Sequence, residues 1–307
     1  MYENILKRLE PVQGVIDAVL DTDTYNEIDD QFALSYMLAS TERINVKAFY
    51  AAPFFNNRSV SPEDGMVKSY NEIKKLVELC GRPDMAAHTY EGSRTYLPDE
   101  HTFVDSPAAR NLAELADGYT ADKPLYVLAI GAITNVASAL LMKPEIADKI
   151  VIVWLGGNAL EWPDTREFNL IQDVSAARVV YDSKAALVIL PCMGVVSAFT
   201  TTEPELNYWF MGKNALSDYL ASNTIEYMNV HSKGKCWSKV IWDVTAVAYL
   251  LNDNDRFMQS KLIDAPIPEY SGHFSRDCRR HPIRYVWHIN RDALMGDLIA
   301  KLTSTPT

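Results

Sequence analysis

The chain alternates short apolar runs with helix-length segments, and this repetition narrows its possible folds more than any other feature. VIDAVL (Val15–Leu20), INVKAFYAA (Ile44–Ala52), PLYVLAI (Pro124–Ile130), IVIVWLGG (Ile150–Gly157) and ALVILP (Ala186–Pro191) carry the β-branched and aromatic content of strands. Between them lie segments with apolar residues at helical spacing, such as Tyr70, Ile73, Leu76, Val77 and Cys80 within Met66–Cys80. Further helices are expected near the N-terminus, over Ile133–Met142, about Pro107–Tyr119, Ser175–Ser183, across 204–232, and over Asp243–Leu251 and Ala293–Leu302. Residues 84–105 read as irregular, and IRYVWHI as a last strand. Strands alternating with helices predict an α/β fold, a mainly parallel sheet with helices on both faces. No repeat, low-complexity stretch or strong linker divides the chain, so one domain over 1–307 is expected.

Composition removes several classes of function. Apolar residues make up 48% of the 307, enough for a large core, and the net charge of −11 disfavours nucleic acid or an anionic membrane as partner. Cys80, Cys192, Cys236 and Cys278 are isolated, which suits reduced thiols rather than a disulfide frame or a zinc site. The opening MYENILKRLEPVQG lacks the apolar core of a signal peptide, and no apolar stretch approaches membrane-spanning length. The expectation is a cytoplasmic protein acting on a small molecule.

The first strand runs directly into an unusual acidic turn. VIDAVLDTDTYNEIDDQFALSYML places Asp21, Asp23, Asp29 and Asp30, with Glu27, between a buried strand and an apolar helix. One or two carboxylates suit a helix N-terminus, where unpaired N–H groups carry partial positive charge. A cluster this dense repels itself unless protons or a cation neutralise it, and an all-oxygen set favours Ca²⁺ or Mg²⁺ over zinc. Other polar residues follow other strands: Asn56 and Asn57 the second, Thr134 the third, Glu167 and Asn169 the fourth, while Asp243 opens a late helix. In open α/β sheets ligands bind beyond the carboxyl ends of the strands, so these residues are expected to share one edge.

Four segments, in order across about 15–252, resemble the inosine–uridine-preferring nucleoside hydrolases. DTDTYNEIDDQFAL is similar to the family's D-x-D…D-D motif, GAITNVASAL to its G-P-L-T-N segment, WLGG with EFN to M-G-G…E-F-N, and WDVTAVAYL to H-D-P-L-A-V-A-Y. The resemblance implies a Ca²⁺-dependent enzyme that cleaves the N-glycosidic bond of ribonucleosides, commonly as a homodimer or homotetramer. It implies Asp23, Asp30, the carbonyl of Thr134 and Asp243 as metal ligands, with Asp23 also the base that takes a proton from the attacking water. Asp29, Glu167 and Asn169 are implied to hold the ribose hydroxyls. The asparagine after the second strand is Asn56 or Asn57, and the 5′-hydroxyl falls to Asn158 in preference to Glu161.

Three departures from the family pattern stand out. TYNEI puts five residues between Asp23 and Asp29 where the family usually has three, which brings Asn26 and Glu27 within reach of the site. Leu155 replaces the usual Met, and Trp242 stands where many members have a catalytic His. A branch preferring purine nucleosides carries tryptophan there and stacks the base on it, so Trp242 is expected to serve the leaving purine. Trp162, Tyr227 and Trp237 are candidates for a second ring, and His231 or His281 for an approach from a loop. The alternatives are a hydrolase of another N-riboside and a non-catalytic sugar- or nucleoside-binding protein. A remote one is a haloacid-dehalogenase-type phosphatase with Asp21 of D-x-D-x-T as nucleophile, whose only downstream Gly-Asp, Gly296-Asp297, falls in an expected helix.

Overall fold

A computed structural model describes residues 2–304. Eight strands form the central sheet: β1 (Ile16–Thr22), β2 (Ile44–Ala51), β3 (Thr89–Glu91), β4 (Leu125–Ala129), β5 (Ile150–Leu155), β6 (Ala186–Leu190), β9 (Met258–Asp264) and β12 (Pro282–Ile289). Two short ladders stand apart, β7 (Thr200–Thr201) with β8 (Lys239–Val240), and β10 (Ile267–Pro268) with β11 (Phe274–Ser275). The sheet order is β3-β2-β1-β4-β5-β6-β12-β9, and every pairing is parallel except β12 with β9.

The expected α/β architecture is therefore present, and its burial follows the sequence. β4, β5 and β6 are buried along their whole length, as continuous apolar runs require when helices cover both faces. One core face holds Leu20, Phe32, Phe49, Leu128 and Val153; the other holds Val19, Tyr50, Val127, Ile152 and Trp154. The alternation of residues between the two sets is the period-two geometry of a strand.

Helix boundaries differ from the sequence reading where caps intervene. The segment expected to be helical across 204–232 is two helices, Glu203–Trp209 and Ala215–Ser232. Asn214 starts the second, its side chain accepting from the Ser217 amide at 2.7 Å. The stretch at 84–105 contains a 3-10 turn, Pro83–His88, and the short edge strand β3. Strand β9 escaped the reading altogether. It is an antiparallel edge strand with mostly exposed side chains, so MQSKLID carries no core signal.

Chain order reverses direction at β1 and β4, which lie side by side while their connections leave to opposite sides. That is the switch point at which an open α/β sheet leaves a crevice. Close backbone approach here depends on glycine. A Cβ on Gly92 would lie 1.9 Å from the Ala51 carbonyl oxygen and 2.6 Å from Asn135 Nδ2, which holds Asp21. Gly92→Ala is expected to cost about 1–3 kcal/mol through forced displacement of this packing. The measurement is the denaturation midpoint, with an unchanged midpoint counting against the close approach.

Candidate active site

A cavity of about 320 Å³ opens over this switch point. Its wall includes Asp23, Asn26, Glu27, Asp29, Asp30, Asn56, Ile130, Leu155, Asn158, Arg166, Glu167, Phe168, Asn169, Cys192, Met193, Trp242 and Asp243. Residues from three of the four family-like segments, together with Asn56, thus meet in one place.

Asp23 leaves the end of β1 and is buried, and neither of its carboxylate oxygens has a hydrogen-bond partner among the described residues. Asp30, at the first turn of the helix Asp30–Leu38, accepts from Thr22 Oγ1 at 2.6 Å. Asp243 precedes the helix Val244–Leu250 and is likewise buried. Oxygens of Asp29, Asp30 and Asp243 lie within 4.8 Å of one another. Burial raises the pKa of Asp23 and Asp243 well above the usual carboxylate range, and neighbouring aspartates push in the same direction. Burial, then the charge of Asp29, raises Asp30 to about 7. Buried, mutually repelling and partly unpartnered oxygens fit a hard divalent cation, which removes both the repulsion and the unsatisfied acceptors.

Thr134 is not in the cavity wall. It is the first residue of the helix Thr134–Met142, and its hydroxyl donates to Asp173 at 2.7 Å, outside the cavity wall. The residue that reaches the wall at the end of β4 is Ile130, whose carbonyl accepts from Asn169 Nδ2 at 3.2 Å. The ligand that the family resemblance implies at Thr134 is its backbone carbonyl rather than its hydroxyl; Ile130 offers a second backbone carbonyl from the same stretch of chain, and it is in the cavity wall.

The residues expected to face a sugar are anchored by backbone. Glu167 accepts from the amides of Gly157 at 2.8 Å, Asn169 at 2.9 Å and Leu170 at 3.0 Å. Asn169 spends its amide donors on the carbonyls of Ile130 and Leu155, so its Oδ1 is the group left to accept. Asn56 lines the cavity and donates to Asn26 Oδ1 at 2.6 Å; Asn57 is not in the wall. Asn158 is in the wall, its side chain bonded to the Asp164 carbonyl and the Met193 amide, and Glu161 is not. The five-residue TYNEI turn does carry Asn26 and Glu27 into the cavity.

Trp242 and Phe168 are the aromatic residues of the wall. The other proposed rings lie elsewhere: Tyr227 is stacked on His231 with centroids 4.0 Å apart, Trp237 donates to Asn229, and Trp162 is outside the wall. His281 is buried away from the cavity, where burial lowers its pKa to about 4. Asp21 does not line the cavity either. It is fully buried and bonded to Asn135, and Gly296-Asp297 lies within the helix Arg291–Ser304, so the phosphatase arrangement is not formed.

Two wall-associated residues had no legible signal. Cys192 is buried in the wall, and burial, then the charge of Glu167, pushes its thiol pKa up. Lys239, in β8, contacts the carboxylates of Glu27 and Asp29 from behind the wall. A lone cysteine and a lone lysine fit no spacing rule, and only the fold brings them to the acidic turn.

The fold and this constellation define a hydrolase of the nucleoside-cleaving class. The sequence profile described as inosine-uridine preferring nucleoside hydrolase covers residues 18–295, and the chain belongs to that family. A pyrimidine-specific ribonucleoside hydrolase of Salmonella enteritidis is 25% identical over 254 residues, 73% of this chain and 76% of that protein. One of Klebsiella pneumoniae is 28% identical over 52% of this chain, which spans only 56% of that relative. Among solved structures, a plant nucleoside hydrolase superposes with TM-score 0.76 at 19% identity, over 94% of this chain and 99% of its own. A purine-preferring ribonucleoside hydrolase from Gardnerella vaginalis gives 0.75 at 19% identity, over 94% and 98%. No described helix is long and apolar enough to cross a membrane.

The raised carboxyl pKa values set the sign of a pH dependence. Without a cation, Asp30 titrates near 7 when folded but near its ordinary 3.8 when unfolded, so between those values the folded state binds more protons. Stability of chelator-treated protein is therefore expected to fall as pH rises from about 4 to about 7, and added Ca²⁺ to restore it most at the upper end. Thermal melts at each pH, with chelator and with Ca²⁺, measure this; a flat chelator profile would refute it.

Proposed function

We propose that this chain is a Ca²⁺-dependent ribonucleoside hydrolase that favours purine nucleosides, acting on a free nucleoside as a cytoplasmic homo-oligomer. The observation that carries the reading is Asp23, a buried carboxylate with both oxygens unpartnered, at the floor of a cavity ringed by Asp30, Asp243, Asp29, Glu167 and Asn169. A Ca²⁺ held by Asp23, Asp30, Asp243 and the Ile130 carbonyl would supply positive charge that lowers the pKa of water.

The protein's own groups do the rest. Asp23 accepts the proton of the attacking water. Asp29 and Glu167 accept hydrogen bonds from the ribose hydroxyls and hold the anomeric carbon over Asp23. Their negative charge also favours the oxocarbenium-like state through which N-glycosidic cleavage passes. Trp242 and Phe168 pack against the leaving base, and support for a purine rests on the larger face that a bicyclic ring offers them. The relatives divide on this point, since the bacterial enzymes above are described as pyrimidine-specific and as purine-preferring.

Three outcomes test the reading. Release of ribose from inosine is expected to vanish on exhaustive chelation and return with Ca²⁺; full activity of chelated, desalted protein would sink it. Inosine is expected to exceed 2′-deoxyinosine in kcat/KM by at least about a hundredfold, because a site built to bond a hydroxyl suffers when that partner is missing. Equal values would refute the sugar assignment. Trp242→Ala is expected to lower kcat/KM for inosine roughly tenfold, more than for uridine, given about 1–3 kcal/mol for base–aromatic stacking. An equal loss for both, accompanied by a lower melting temperature, would make Trp242 a packing residue only.

A further inference from the structure

The acidic wall holds more carboxylates than the charge of one divalent cation can balance, and the structure contains a second positive charge beside them. Lys239 lies in β8, which pairs with β7 through Thr201, and its side chain is only 8% exposed. Its Nζ bonds the Glu27 carboxylate and stands 3.3 Å from Asp29 Oδ1. The other oxygen of Asp29 accepts the Trp242 amide at 2.9 Å. Asp29 is thus held at both oxygens from the protein side. Asp23, in contrast, has no partner at either oxygen, and Asp30 has one, from Thr22.

We infer that Lys239 is a positioning residue that reserves Asp29 for the substrate, leaving Asp23, Asp30 and Asp243 to the cation. By distance alone Asp29 is as available to a metal as its neighbours, since its oxygen lies within 4.8 Å of those of Asp30 and Asp243. What separates it is charge compensation. An ammonium in a buried setting satisfies a carboxylate that would otherwise turn toward the cation, and it raises the electrostatic cost of bringing the cation closer. Glu27 has a complementary role. It comes from the lengthened turn, and its bond to Lys239 fixes the ammonium against Asp29 rather than leaving it free to turn outward. The longer turn and the lysine therefore work as one unit.

This rests on the proposed reading of the cavity as a ribose and Ca²⁺ site, and binding rather than turnover tests it. Purified protein is titrated calorimetrically with Ca²⁺ alone, then, loaded with Ca²⁺, with ribose and with 2-deoxyribose. Lys239→Gln is expected to bind Ca²⁺ at least roughly tenfold more tightly, because a nearby positive charge is gone and Asp29 is released toward the cation. The same variant is expected to bind ribose about ten- to a hundredfold more weakly, with the preference over 2-deoxyribose reduced. Lys239→Arg, which keeps the charge, should retain wild-type Ca²⁺ affinity within about threefold. Ca²⁺ affinity that stays level or falls in Lys239→Gln would overturn the inference.

Asp29→Asn gives a separate test that does not depend on the lysine variants folding. If Asp29 is reserved for the sugar, Ca²⁺ affinity should change by less than about threefold while ribose binding weakens; a Ca²⁺ loss beyond about tenfold would make Asp29 a cation ligand and overturn the assignment. Wild-type protein that binds Ca²⁺ but no ribose would sink the ribose reading instead. The calcium arms would still decide the role of Lys239.

Discussion

The constraint on which this structure turns is the mutual repulsion of carboxylates that the fold buries together. Asp23, Asp29, Asp30 and Asp243 come from the end of one strand and the beginnings of two helices, and all are buried. Such an arrangement is costly in isolation, because desolvation and like charge both disfavour the ionised forms. Protein interiors do not keep that arrangement without compensation. The compensation visible in the chain is partial: Thr22 for Asp30, and Lys239 with the Trp242 amide for Asp29. In the proposed function the remainder falls to a cation and to substrate hydroxyls, which would make the instability of the cluster and its capacity to bind the same physical fact.

The sheet makes this concentration of charge possible. Parallel strands deliver all their carboxyl ends to one edge, and the reversal of chain order between β1 and β4 parts the connecting segments above it. Gly131, two residues past the end of β4, keeps the crevice open at its base, since a Cβ there would sit 3.1 Å from the Asp23 carboxyl carbon. Trp154 fastens the same turn, donating to the Gly131 carbonyl at 3.2 Å. Buried strands on either side supply the rigidity that holds the carboxylates in place against their repulsion. The polar groups of the wall are then oriented by backbone amides, as at Glu167, rather than by flexible neighbours.

Much of this was legible in the sequence because its signals are local. Apolar runs bounded by turn residues identify five parallel strands and the last one, and the acidic density after β1 marks the sheet edge where the cavity opens. Asp23, Asp29, Asp30, Asn56, Asn158, Glu167, Asn169, Trp242 and Asp243 do share one cavity. The edge strand β9 was invisible because its side chains face solvent and leave no apolar period.

What the tertiary structure alone decided concerns groups whose meaning depends on neighbours distant in sequence. Ile130 lies in the cavity wall and Thr134 does not, its hydroxyl being bonded to Asp173. Whether Asn56 or Asn57 enters the wall depends on how the chain turns after β2, which side-chain identity does not encode. Lys239 and Glu27 are 212 positions apart, and nothing in either segment announces the other. The sequence by itself determined the sheet, the acidic edge and the chemistry that edge suits, since these follow from residue type and period. Only folding divided the carboxylates between a lysine and an open cavity, because that division is set by distances between side chains on separate elements.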